Sequence, residues 1–197
     1  MSHGLLVLAG AYLLGSIPFA FLLARHLGGV DVRTLGSHNV GATNVWRTTR
    51  LSIALLVTLL DMGKGMGSVV LAAGLGASPR LQVAAGLMAI VGHLYPVWLK
   101  FQGGKGVATA GGVFAVLAPL ATLGAAAVFV AVAWASRFVS LASMAAATAL
   151  TAGAWLLPGG RATALGATVT SALVLWRHRD NMMRLRSGAE PRIGERA

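Results

Sequence analysis

The chain has 197 residues, of which 56% are hydrophobic and 11% charged, with a mean hydropathy of +0.76; an ordinary soluble domain carries about 25% charged residues, so this composition belongs to a membrane protein. It contains no cysteine, which excludes disulfides, thiolate metal ligation and a cysteine nucleophile, and its 5 acidic residues are too few for a carboxylate-bridged metal pair. The formal net charge of +11 comes from basic residues bunched over 25–50 and 177–196 beside apolar spans. That placement marks a cytoplasmic membrane face rather than a nucleic-acid surface.

Apolar runs of roughly 16 to 24 residues recur along the chain and leave no room for a separate soluble domain, so 1–197 reads as a single integral-membrane domain. The predicted fold is all-α, with helices near 4–24, 51–76, 81–99, 107–117, 120–135, 138–157 and 162–176. The first run lacks a basic leading region and a small-x-small cleavage site, so it is expected to be the first membrane helix rather than a signal peptide. The stretch 107–135 is read as two short helices hinged at Ala118 and Pro119. Splitting it there puts Arg25, Arg33, Arg47, Arg50, Lys100, Lys105, Arg137 and the basic tail on one side, leaving only Arg80 and Arg161 on the other. The expectation is seven transmembrane helices, N-terminus periplasmic and C-terminus cytoplasmic.

Polar, glycine-rich segments fall on one side of this topology. The first runs Gly36-Ser37-His38-Asn39-Val40-Gly41-Ala42-Thr43-Asn44-Val45-Trp46-Arg47, where glycines permit tight turns and Ser37, Asn39, Thr43 and Asn44 offer hydrogen bonds; such a loop can aim backbone N–H groups at a phosphate. It nearly matches a P-loop, but Ala42 stands where the lysine belongs and no strand precedes it, so a nucleotide site is excluded. The second, Asp61-Met62-Gly63-Lys64-Gly65, sits inside an apolar span. Asp61 and Lys64, three apart, can pair on one helix face. Such a pair either locks helix packing through Gly63 and Gly67 or, with Gly65 leaving room beside the ammonium, meets a ligand.

The third segment comprises Gly92-His93-Leu94-Tyr95-Pro96 and the following Gly103-Gly104-Lys105-Gly106-Val107-Ala108-Thr109. Glycines around a lysine at a helix start combine free N–H groups, the positive end of the dipole and a point charge, the strongest phosphate signal in the chain. His93 taken alone fits a satisfied core histidine. The last segment opens the tail, Arg177-His178-Arg179-Asp180-Asn181, where His178 and Asn181 share a helical face while Arg179, Arg184 and Arg186 suit lipid headgroups. One further pair, His26 and Asp31, has the H-x-x-x-x-D spacing of another class of glycerolipid acyltransferases, but Gly28 and Gly29 interrupt the spacer and the phosphate-like segments lie elsewhere.

Taken in order, Leu14-Gly15-Ser16-Ile17-Pro18, the loop 36–47, Asp61 to Gly65, Gly92 to Pro96, Gly103 to Thr109, Val139-Ser140-Leu141-Ala142-Ser143 and the tail from His178 to Glu190 resemble the acyl-phosphate-dependent glycerol-3-phosphate acyltransferases, the PlsY family. The resemblance covers essentially the whole length. It implies a seven-helix bacterial inner-membrane enzyme with a cytoplasm-facing site, which moves an acyl group from acyl phosphate to the sn-1 hydroxyl of glycerol 3-phosphate and makes lysophosphatidic acid. It implies Ser37, Arg47, Lys105, His178 and Asn181 as catalytic residues. Substrate binding falls to Gly36, Asn39, Gly41, Ala42, Thr43, Asn44, Lys64, His93, Gly103, Gly104, Gly106, Thr109 and Ser143, and Glu190 looks structural. No metal, cofactor or nucleic acid is expected, membrane lipid is the surrounding partner, and a monomer is expected. The family loop usually reads Gly-Ser-Gly-Asn, whereas His38 replaces the middle glycine here. The rival reading is a membrane transporter or channel for a phosphate compound, with Asp61 and Lys64 lining a midplane site.

Overall fold

The computed structural model describes residues 2–195 and contains no strand among them. Its helices are α1 (Ser2–Gly15), α2 (Phe19–Gly28), α3 (Ala42–Thr48), α4 (Leu51–Gly74), α5 (Pro79–Leu94), α6 (Val107–Leu117), α7 (Pro119–Ser136), α8 (Val139–Leu156), α9 (Gly160–Arg177) and α10 (Arg179–Arg186), with a 3-10 turn at Val97–Leu99. The expected helix over 4–24 is broken at Ser16–Pro18, because Pro18 has no N–H to donate and the chain turns there. The loop 36–47 likewise carries the short helix α3 in its second half.

Five helical segments among the described residues are long and apolar enough to cross a membrane: His3–Gly28, Leu51–Gly74, Pro79–Leu99, Pro119–Ser136 and Val139–Leu156. The shorter α6 is also apolar. The split of 107–135 is present: α6 stops at Leu117, and Pro119 opens α7 at its first turn, where a missing N–H costs nothing. Leu120, Leu123, Val130 and Trp134 on α7 are exposed, as suits side chains that face hydrocarbon. The protein is thus a polytopic, all-helical membrane protein.

The chain groups into two compact units, one running to Val113 and the other Phe114–Ile193. In the first, α1 lies on α5 and α4, and Gly15 touches the Ala89 backbone so closely that a Cβ would stand 2.1 Å from its carbonyl oxygen. Small residues of this kind let membrane helices approach where no hydrophobic effect drives them together. A core of Ala20, Ala24, Val32, Val40, Val45, Ile53, Ala54, Val57 and Leu99 anchors the loop after α2 to α4. In the second, α8 packs between α7 and α9. Its α8–α9 contact is polar as well: the Thr151 hydroxyl donates to Ser171 Oγ at 2.8 Å, and Ser171 donates to the Ala147 carbonyl.

Candidate active site

Within the first unit, three of the four polar segments converge on one small cleft beside the break between α1 and α2. It is lined by Ser16–Ala20, Val40, Asp61, Lys64, His93, Pro96, Gly103 and Gly104. Lys64 Nζ lies 2.8 Å from Asp61 Oδ1 and donates at 2.9 Å to the Ile17 carbonyl in the break of the first helix, which also accepts from the Phe19 N–H at 3.1 Å. His93 Nδ1 stands 3.5 Å from the same Asp61 oxygen, and all three side chains are buried. Phe19 sets its ring 5.7 Å from the ammonium.

This geometry gives Lys64, His93, Gly103 and Gly104 partners within the protein. Lys64 was expected to meet a phosphate through the space beside Gly65, but that space is filled by the first turn of α6: a Cβ on Gly65 would lie 2.2 Å from the Thr109 carbonyl oxygen. On that side the Asp61–Lys64 pair is packed against α6, while Lys64 and Asp61 both line the cleft. His93 is a satisfied core histidine between Asp61 and the glycine turn. The N–H groups of Gly103 and Gly104 donate to the carbonyls of Leu94 and His93 at 3.1 and 3.2 Å, so they close a turn rather than aim outward. What the turn delivers is Lys105, half-buried, and Gly106 in the left-handed region (φ +82°), immediately before the first amides of α6. Thr109 is wholly buried in that first turn.

The loop of the first segment is held from within. The Asn44 side chain, 1% exposed, donates to the carbonyls of Val32 (2.8 Å) and Leu35 (3.1 Å) and accepts from the Ser37 N–H (2.9 Å). It shapes the loop and has little left for a substrate. Ser37, Gly36 and His38 are exposed, and Asn39, Gly41, Ala42, Thr43 and Arg47 are half-buried on the same short stretch. His38 adopts the left-handed conformation, φ +55°, which costs a non-glycine residue about 1–2 kcal/mol. Its Nδ1 lies 3.0 Å from the Arg33 carbonyl, a hydrogen bond of the size that offsets much of that cost, roughly 0.5–1.5 kcal/mol.

The His26–Asp31 dyad does not form. His26 is exposed, and the Asp31 carboxylate is gripped by the forked guanidinium of Arg33 at 2.6 to 3.2 Å. Those hydrogen bonds, with Arg25 nearby, hold the Asp31 carboxyl down at about 2. A carboxylate so engaged cannot orient a histidine base.

In the second unit, His178 sits between α9 and α10 and is buried, with Nδ1 2.8 Å from the Val174 carbonyl. A carbonyl only accepts, so Nδ1 carries the proton and Nε2 is the basic nitrogen. Asn181, expected to share a helical face with it, stands one turn into α10 and donates to Glu190 Oε1 at 2.6 Å. Arg184 donates to the other oxygen at 2.8 Å. Ser143 is buried and bonded to the Val139 carbonyl of its own helix, so it offers a substrate little.

Burial pushes the Glu190 carboxyl up, but the polar groups around it, among them the hydrogen bonds from Asn181 and Arg184, outweigh it and hold the group below its usual range. The structural part expected of Glu190 fits this geometry. A folded-state pKa below the unfolded value of about 4.3 means stability that is complete above that value and lost as pH falls through the lower, folded one. Thermal unfolding midpoints measured from pH 6 downward should therefore drop more steeply in the wild type than in Glu190→Gln. Parallel profiles would show that the carboxylate is not held this way.

Sequence reasoning missed the Ile17 carbonyl and Val40 as parts of the cleft. Pro18 in the middle of an apolar run was the available signal for the first. The backbone of Val40 reaches Gly104 only through the fold of the loop, and nothing local announces it.

The architecture defines a polytopic helical membrane protein with a polar cleft at a broken first helix. The family model described as Glycerol-3-phosphate acyltransferase matches residues 5–188. The chain is 53% identical over 190 residues to a glycerol-3-phosphate acyltransferase of Myxococcus xanthus, covering 95% of this chain and 98% of that one. It is 48% identical over 192 residues to one of Synechococcus sp. (strain CC9902), covering 98% and 96%. It is also similar to a solved structure described as PlsY (YgiH), an integral membrane glycerol 3-phosphate acyltransferase, in its glycerol 3-phosphate form. The TM-score is 0.92 at 38% identity over 97% of this chain and 96% of that chain; the lysophosphatidic acid form gives 0.90. The chain belongs to the glycerol-3-phosphate acyltransferase family of the PlsY type, and it is an acyltransferase, not a transporter.

Proposed function

We propose that this protein transfers a fatty acyl group from acyl phosphate to the sn-1 hydroxyl of glycerol 3-phosphate, releasing phosphate and 1-acyl-glycerol 3-phosphate. The observation that carries the reading is the turn Gly103–Gly106, which carries Lys105 into the start of α6 and packs Gly104 against Val40 of the loop 36–47, in a membrane protein of this family. The first amides of a helix have no intrahelical acceptor and carry the positive end of its dipole, so they suit a phosphate. Arg47 adds a planar fork and Lys105 a point charge.

Acyl phosphate is a mixed anhydride, so its phosphate leaves readily and the enzyme's task is to hold two phosphates and align one hydroxyl. The acceptor oxygen bonds to the acyl carbon, the carbon–oxygen bond to phosphate breaks, and the hydroxyl proton goes to the departing phosphate. The resemblance favours this substrate-assisted route over a histidine base, and the commitment of His93 to Asp61 and the glycine turn supports it. Ser37 positions the reacting groups, and His178 and Asn181 carry the remaining catalytic assignments. We assign Lys64, His93, Asn44, Gly103 and Gly104, whose polar groups find partners within the protein, to shaping the site around the substrates. The clustering of basic residues over 25–50 and 177–196 supports seven crossings of the inner membrane with the site on the cytoplasmic side.

The test is acyl transfer to labelled glycerol 3-phosphate by the purified protein, with palmitoyl phosphate and palmitoyl-CoA offered in parallel and EDTA present. Product from the acyl phosphate alone, unaffected by chelation, is expected. Product from palmitoyl-CoA would overturn the donor assignment, and product from neither would remove the whole reading.

A further inference from the structure

We propose that His38 is a positioning residue that holds Ser37 in place; the inference rests on the reading of Ser37 given above. Four observations carry it. His38 is a non-glycine residue in the left-handed region, φ +55°, in the middle of the exposed stretch Gly36–Ser37–His38. Its imidazole Nδ1 bonds the Arg33 carbonyl, five residues back, at 3.0 Å. Because a carbonyl only accepts, the ring is fixed as the Nδ1–H form, with its orientation set by that bond.

Arg33 is itself held by its side chain. Its guanidinium grips both oxygens of Asp31 and stacks on the Phe21 ring 4.5 Å away, so the carbonyl that His38 uses belongs to a braced turn. On the other side, Asn44 takes the Ser37 N–H and two further backbone carbonyls of the loop. Ser37 thus lies between two clamps, one on its own amide and one on the residue that follows it. A glycine at 38 would allow the same backbone angles together with many others. Histidine keeps the angles, removes the freedom and ties the loop tip to the turn at Asp31–Arg33.

The experiment compares the full-length wild type with His38→Gly and His38→Asn. Asparagine tolerates the left-handed conformation and retains a donor, whereas glycine tolerates it and has none. Two measurements are read: steady-state kinetics for both substrates, and amide hydrogen exchange over residues 33–38 in the enzyme without substrate. In His38→Gly, exchange over that stretch should quicken, and kcat should fall about five- to tenfold as Ser37 loses its fixed place. His38→Asn should recover most of both effects.

A His38→Gly protein with wild-type kcat and KM and unchanged exchange would overturn the proposal. Faster exchange with unchanged kinetics would overturn it too, since the brace would then exist without serving Ser37. Failure of the acyltransferase reading would look different: the wild type itself would give no product, while the exchange comparison would still report on the brace.

Discussion

Asp61→Asn should destabilise the folded protein by about 3–5 kcal/mol, the usual cost of removing one partner from a buried ion pair. The reason is local. Lys64 is buried in α4, and among the described residues its ammonium meets, besides Asp61, the Ile17 carbonyl and the face of Phe19. A neutral amide leaves that charge without an answering carboxylate and also releases His93 from the same oxygen. The measurement is chemical or thermal unfolding of purified protein in detergent, followed by tryptophan fluorescence. Replacing the pair together, Asp61→Leu with Lys64→Met, should recover most of the loss, because an apolar pair of similar volume incurs no desolvation penalty. A single variant as stable as wild type would show that Lys64 does not depend on Asp61.

Gly104→Ala should lower kcat/KM by about 100-fold, the scale expected when a site element moves by around an ångström. A Cβ there would stand 2.2 Å from His93 Nε2 and 2.6 Å from the Val40 carbonyl oxygen. The His93 ring is braced by Asp61 on its far side, and Val40 is backbone of the loop that carries Ser37, so neither neighbour yields cheaply. The turn that bears Lys105 must therefore shift. Gly63→Ala is the control: it lies in the same polar segment of α4 but has nothing within 4 Å of its added methyl, and it should keep wild-type kinetics. Equal kinetics for the two variants would remove the argument that Gly104 sets the site by close packing.

Much of the fold was legible because its signals are local. A hydrophobic run long enough to span a bilayer, a proline that opens a helix at Pro79 or Pro119, and a serine that caps one at Ser78 each act within a few residues of themselves. The candidate site was legible in composition and not in role. Asn44 could be picked out as an amide in a polar loop, but whether it faces a substrate or its own backbone depends on where Val32, Leu35 and Ser37 fold around it. Gly65 beside Lys64 looked like an opening for a ligand, and only the approach of α6 shows that the space is taken. The first helix was read as continuous because its apolar run is unbroken, although Pro18 lies inside it.

By itself the sequence determined the class of molecule, the positions of its helices and the set of segments able to meet an anion, since hydropathy, turn residues and charge are properties of short stretches of chain. The tertiary structure decided which of those residues face outward and which hold the others. Lys64, His93, Gly103 and Gly104 line the cleft, and their polar groups also find partners at Asp61, Ile17, Leu94 and His93. The physical reason is that a buried polar group must be satisfied, and which group satisfies it is a question of packing across distant parts of the chain.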